Sequence, residues 1–165
     1  MSRENGKLYS RFSKYYLGRY KLMVLTGPKR HTQKTGDISE QAAITRLLQC
    51  GYGVLQPIGQ MHRYDLVIED AEGKFWKIQC KTGWLNEDQS VIMFAAASSQ
   101  NYTVKQKGWR NYKGQIDYFC VYVEALHKLY FIPIEDASNS KCTLRLTPSK
   151  NRQEKNVRWA RDYEL

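Results

Sequence analysis

The sequence of 165 residues has no Cys-x-x-Cys pair, no internal repeat and no apolar run long enough to span a membrane. Its four cysteines, Cys50, Cys80, Cys120 and Cys142, are too widely spaced for a zinc ribbon or a redox motif. They read instead as reduced, mostly buried, small apolar residues. The three histidines, His31, His62 and His127, are equally scattered and suggest no ligand cluster. A charged-then-apolar leader is also missing, so the expectation is a soluble, intracellular protein of the cytoplasm with no membrane partner. Acidic residues are scarce at one end: residues 1–34 carry nine basic side chains and a single acid, Glu4.

What is present points to one compact domain. Hydrophobic residues make up 42% of the chain and aromatic residues 13%, enough to build a core and to exclude wholesale disorder. The net charge of +10 fits a polyanionic partner, with nucleic acid ahead of a membrane surface. Most of that excess lies in residues 1–34, because the rest of the chain carries 17 basic and 15 acidic residues. We divide the chain accordingly into a basic N-terminal arm, 1–34, and a domain, 35–165. The arm interleaves Tyr9, Phe12, Tyr15, Tyr16 and Tyr20 with its cations. Its two readings are a DNA-contacting segment and a poorly ordered extension.

The domain begins with a helix. After a polar linker from Pro28 to Gly36, the spacing of Ile38, Ala42, Leu47 and Leu48 predicts an amphipathic helix over Asp37–Cys50, stopped by Gly51. Residues 64–69 and 74–82 read as a β-hairpin about the turn 70–73. Val91–Ala96 is a further strand, Ile116–Glu124 and Leu129–Pro133 a second hairpin around His127, and Leu144–Leu146 a short edge strand. The segment from Tyr102 to Lys113 reads as a loop, and a short helix is expected near Val157–Tyr163.

Four residues stand out on this frame. Side chains alternate along a strand, so Gln79 and Lys81 project together while Trp76, Ile78 and Cys80 form the core face. The hairpin places Asp65 close to opposite Gln79, roughly 5 Å apart at Cβ. Glu40 completes the group if the first turn of its helix lies toward the strand ends. Phosphodiester hydrolysis needs an activated water and neutralisation of charge on the transition state, and Mg²⁺ among hard oxygen donors supplies both. Asp65 would be the principal ligand, with the Gln79 side-chain oxygen, the Cys80 backbone carbonyl and Glu40 as further donors. Lys81 would orient or deprotonate the water, or stabilise the developing charge. Each residue also has a plain structural reading: Asp37-x-x-Glu40 fits a capping box, Asp65 a polar strand start, and Gln79-x-Lys81 a wet strand face.

The motifs Thr35-Gly36-Asp37-Ile38-Ser39-Glu40, Arg63-Tyr64-Asp65-Leu66 and Ile78-Gln79-Cys80-Lys81-Thr82 resemble those of the PD-(D/E)XK nuclease superfamily. More narrowly, they resemble its group I intron-associated homing endonucleases of cyanobacterial type. The similarity continues through Ile116-Asp117-Tyr118-Phe119, Leu129-Tyr130-Phe131-Ile132-Pro133 and Asn156-Val157-Arg158-Trp159 to the C-terminus, leaving out the arm. It implies an α/β, restriction-endonuclease-like core, with a mixed β-sheet flanked by helices in a single domain. It further implies a homotetramer making Mg²⁺-dependent double-strand breaks in a long DNA target, with Mn²⁺ able to substitute. By matching motifs, Glu40, Asp65, Gln79 and Lys81 take the acid, metal-ligand, amide and lysine positions. The superfamily more often has Glu at the position of Gln79, although Gln occurs in the intron-associated branch.

DNA contact is expected from Lys105, Lys107, Arg110 and Lys113, interleaved with Tyr102, Trp109 and Tyr112. A second basic run comprises Lys150, Arg152, Lys155, Arg158 and Arg161. Two other functions fit the same residues. One is a junction resolvase acting on branched DNA; the other is a nuclease-fold DNA-binding protein that has lost catalysis, with Gln79 as its trace.

Overall fold

The computed structural model describes residues 32–59, 61–103, 106–148 and 155–165, all within the unit His31–Leu165. The fold opens with α1 (Thr32–Gln49), followed by β1 (Gly53–Leu55), β2 (Leu66–Glu69) and β3 (Phe75–Leu85). Next come β4 (Val91–Ala95), a ribbon of β5 (Ala97–Thr103) and β6 (Gln106–Asn111), then β7 (Tyr118–Val123), β8 (Lys128–Pro133) and β9 (Lys141–Arg145). Three single-turn 3-10 segments accompany them, the last at Ala160–Asp162 where a short helix was expected. The basic arm lies outside the described residues, apart from Thr32–Lys34, which already belong to α1. Among the described residues no helix is long and apolar enough to cross a membrane.

The helix starts earlier than its apolar spacing suggests, and its core stripe keeps Leu47 but is shifted by one residue from Ile38 and Ala42. The expected linker is helical from Thr32, so Asp37 lies inside the helix and cannot serve as the N-cap of a capping box. Its buried stripe is Ser39, Ala43 and Leu47, one turn apart at each step, whereas Leu48 is exposed. A polar residue belongs to that stripe because its hydroxyl has partners: Ser39 Oγ donates to Thr35 O at 3.1 Å and lies 2.7 Å from Thr82 Oγ1 on β3. The C-terminus follows the expected stop. Gly51 sits at φ +88°, with Tyr52 N–H donating to Leu47 O and Gly51 N–H to Leu48 O, a Schellman closure.

β3 is the axis of a mixed seven-stranded sheet. On one edge it pairs in parallel with β7, Gln79 opposite Phe119 and Lys81 opposite Val121. On the other edge β2 runs antiparallel to it, Leu66 opposite Ile78. The remaining pairings, β1–β2, β3–β4, β4–β9 and β7–β8, are antiparallel. The β2–β3 turn is held by Asp70, whose side chain accepts from the Glu72 and Lys74 amides at 3.0 and 2.9 Å and from Trp76 Nε1 at 2.8 Å. Gly73 takes φ +79° there, a conformation open to glycine.

Both faces of this sheet are covered. Ile78, Cys80, Cys120 and Leu129 meet Ala43 and Leu47 of α1 in one core. Phe119, Val121 and Val123 meet Ile92, Phe94, Leu144 and Tyr112 in the other. Gly83 marks a close approach in the second core: a Cβ there would lie 2.8 Å from Val123 Cγ2 and 2.9 Å from Val121 Cγ1. All four cysteines are free, and three of them, Cys80, Cys120 and Cys142, are buried as expected. The segment expected as a loop is instead the β5–β6 ribbon, a separate two-stranded antiparallel sheet.

Candidate active site

The hairpin register brings Asp65 to Gln79. Asp65 N–H donates to Ile78 O at 2.9 Å, and the Leu66–Ile78 pairing leaves Asp65 as the next residue, level with Gln79. Backbone groups alternate edges along a strand, and Lys77 O already accepts from Asp117 N–H on the β7 side. Ile78 and Cys80 therefore present N–H and C=O to the opposite edge, where β2 has just begun. The Cys80 amide has no strand to meet there and donates to Asp65 Oδ2 at 2.8 Å. Gln79, only 8% exposed, donates from Nε2 to the same Asp65 oxygen and to Cys80 O at 3.3 Å. One carboxylate, one amide and one backbone carbonyl thus converge at a single point.

Glu40 and Asp65 line one cleft of about 330 Å³, together with Gln56, Pro57, His62 and Tyr64. Gln56 Nε2 donates to Glu40 Oε1 at 3.1 Å and fixes that carboxylate. Burial raises the Asp65 carboxyl above its ordinary value; the Cys80 N–H lowers it, the charge of Glu40 raises it further, and Lys81 and Gln79 oppose that rise. A half-buried carboxylate facing a second one is a site of excess negative charge. Burial also drives the Cys80 thiol well above its ordinary range. Its side chain lies in the core beneath α1, so the Cys80 carbonyl beside Gln79, not the sulfur, is the donor on offer.

Among the described residues no group of three or more His, Cys, Asp and Glu side chains gathers to hold a metal. The donor set here is different in kind: two carboxylates, a side-chain amide and a backbone carbonyl. All of them offer hard oxygens to a divalent cation once the Gln79 amide turns its oxygen inward. The residues present therefore fit a hard divalent cation in chemistry and in charge.

Lys81, half-buried on the Gln79 face of β3, donates from Nζ to the Tyr112 hydroxyl at 2.9 Å. Tyr112 itself is only 4% exposed. It was expected among DNA-contacting aromatics, but it is a core residue whose ring packs edge-on against Phe119. Arg63, just ahead of Asp65, lies 4.1 Å over the same ring. These contacts were not read from the sequence, because they join distant segments and follow no periodic pattern.

The expected DNA-binding residues divide. Arg110 and Lys113, at the end of β6 and just beyond it, are exposed, as is Trp109. Lys105 lies outside the described residues, and Lys107 is on β6. In the second run Lys150 and Arg152 also lie outside the described residues. Lys155 is exposed and Arg158 half-buried, on a segment bridged to β9 through Arg145 and Trp159.

A family model described as PD-(D/E)XK endonuclease matches residues 30–165. Among solved structures, that of a bacterial homing endonuclease, I-Ssp6803I, is similar, with 30% sequence identity and a TM-score of 0.67. The similarity covers 82% of this chain and 89% of that one. No curated protein matches the chain.

Proposed function

This chain belongs to the PD-(D/E)XK endonuclease family and is a DNA-cleaving hydrolase, and from that premise we propose a Mg²⁺-dependent, site-specific homing endonuclease. Its proposed product is a double-strand break in a long target, at the intron-free allele of the gene that hosts a group I intron. The observation that carries the reading is the meeting of Asp65, Gln79 and the Cys80 carbonyl opposite Glu40, with Lys81 on the same face as Gln79.

Asp65, the Gln79 side-chain oxygen, Cys80 O and Glu40 are the proposed cation donors. Bound there, Mg²⁺ supplies Lewis acidity and neutralises charge at the scissile phosphate. The residues of the chain do the rest. Asp65 is held in place by the Cys80 amide, and Gln56 steadies Glu40. Lys81 orients the attacking water and offsets the charge that develops on the phosphoryl oxygens. Because Gln79 is neutral, Asp65 carries more of the charge at this site than it would beside a glutamate.

Arg110 and Lys113, with Lys105 and Lys107 of the same segment, would contact the phosphates beside the site. Arg152, Lys155 and Arg158 are a second proposed contact, and the basic arm of residues 1–34 a third. The resemblance to homing endonucleases supports a homotetramer engaging one target.

The test is cleavage of the intron-free allele with and without Mg²⁺. Asp65→Asn and Lys81→Ala should each lower the rate by about 10²-fold or more, whereas Gln79→Glu should keep cleavage. Full activity of Asp65→Asn would refute the site. Preference for four-way junctions over linear duplex would assign the activity to a resolvase instead.

A further inference from the structure

We infer that Tyr112 is the positioning residue for Lys81, and that Arg63 holds Tyr112 in that role. The inference rests on the reading of Lys81 as the lysine of the active site. Lysine ends a long, freely rotating chain, so its ammonium reaches one place reliably only if something holds it. Among the described residues Lys81 makes no ion pair. Its ammonium donates to the Tyr112 hydroxyl at 2.9 Å and lies 4.8 Å from the centre of the same ring.

The ring is itself fixed on two sides. Phe119 meets it edge-on at 5.4 Å between centroids, and the Arg63 guanidinium lies over it at 4.1 Å. Phenylalanine would fill the same space against Phe119 and Arg63, so core packing alone does not call for a hydroxyl. With the ring only 4% exposed, direct contact with DNA does not call for one either. The lysine is the partner that uses it.

Arg63 adds a connection to the ribbon. Its Nε donates to Gln115 Oε1 at 2.7 Å and one terminal nitrogen to Ser98 Oγ at 2.7 Å. The other donates to the carbonyls of Arg110 and Asn111 at 3.4 and 3.1 Å. One guanidinium thereby grips both strands at the base of the β5–β6 ribbon while covering the ring that holds Lys81. It also sits in the segment that leads into Asp65. The geometry ties the placement of the ribbon to that of the lysine.

The experiment compares Tyr112→Phe, Arg63→Gln and Lys81→Ala with wild type on the duplex that wild type cuts. Single-turnover cleavage is measured with Mg²⁺, DNA affinity in EDTA, and folding by thermal melting. Tyr112→Phe is expected to slow cleavage about tenfold to a hundredfold, the effect of a misplaced catalytic group, with DNA affinity and melting unchanged. Arg63→Gln should slow cleavage in the same direction. Wild-type cleavage by Tyr112→Phe alongside a dead Lys81→Ala overturns the inference and leaves the site intact. A loss of DNA affinity that matches the loss of rate also overturns it, by placing Tyr112 in the DNA surface. Normal cleavage by Lys81→Ala would instead refute the reading of the site itself. Should Tyr112→Phe fail to fold, the single-turnover rate of Arg63→Gln with DNA saturated by protein decides the matter, a wild-type rate overturning the inference.

Discussion

At Asp65 the demands of folding oppose those of its proposed chemistry. Its carboxyl is raised by burial and by Glu40, so in the metal-free protein the folded state binds its proton more tightly than the unfolded chain does. Stability contributed by this group is therefore greatest below the ordinary carboxylate value of 3.8 and falls as pH rises above it. Asp65→Asn should raise the melting temperature of metal-free protein at pH 7, and the gain should vanish in acid; melting curves in EDTA across pH 3 to 7 would show it. Tyr130 offers a simpler case. It is fully buried and its hydroxyl meets no partner among the described residues, while burial pushes its ionisation up to about 12. Tyr130→Phe removes a desolvated, unpaired group and should add about 1 kcal/mol of stability by urea denaturation.

Among the elements, legibility followed the clarity of the burial pattern. Strand β3 alternates apolar and polar residues from Trp76 to Lys81, which lets the opposition of Asp65 and Gln79 be counted from the turn, even though Ile78, Gln79 and Cys80 are all buried. In helix α1 the apolar spacing points to Ile38 and Ala42, whereas the inner stripe includes Ser39, a polar residue outside any hydrophobic count. The β5–β6 ribbon was missed because strands reading Ala-Ser-Ser-Gln-Asn-Tyr-Thr and Gln-Lys-Gly-Trp-Arg-Asn show no alternation of apolar and polar residues. The contact between Arg63 and Tyr112 was invisible for another reason, since a cation over a ring leaves no trace in sequence spacing. Gly83 gives the prediction at this scale. Its missing side chain lets β3 pass under Val121 and Val123, so Gly83→Ala should cost about 1–3 kcal/mol in chemical denaturation through overpacking.

For the molecule as a whole, the proposed site around Asp65 and the exposed cations Arg110 and Lys113 predict how affinity and rate divide. Arg110 and Lys113 have no expected part in chemistry. Replacing either by Ala should weaken DNA binding across sequences and reduce the slope of log affinity against log salt by about one, as titrations at several salt concentrations would report. The two-stranded turn behind Asp65 carries a different consequence. Asp70 and Gly73 set how many residues separate the acid from the amide, and in a hairpin one residue of slip sends a side chain to the opposite face. A single insertion in that turn would leave Glu40, Asp65, Gln79 and Lys81 all spelled out in order, so that a reader of motifs would score the protein as intact. The protein would nevertheless have lost its site, through an error of counting and not of chemistry.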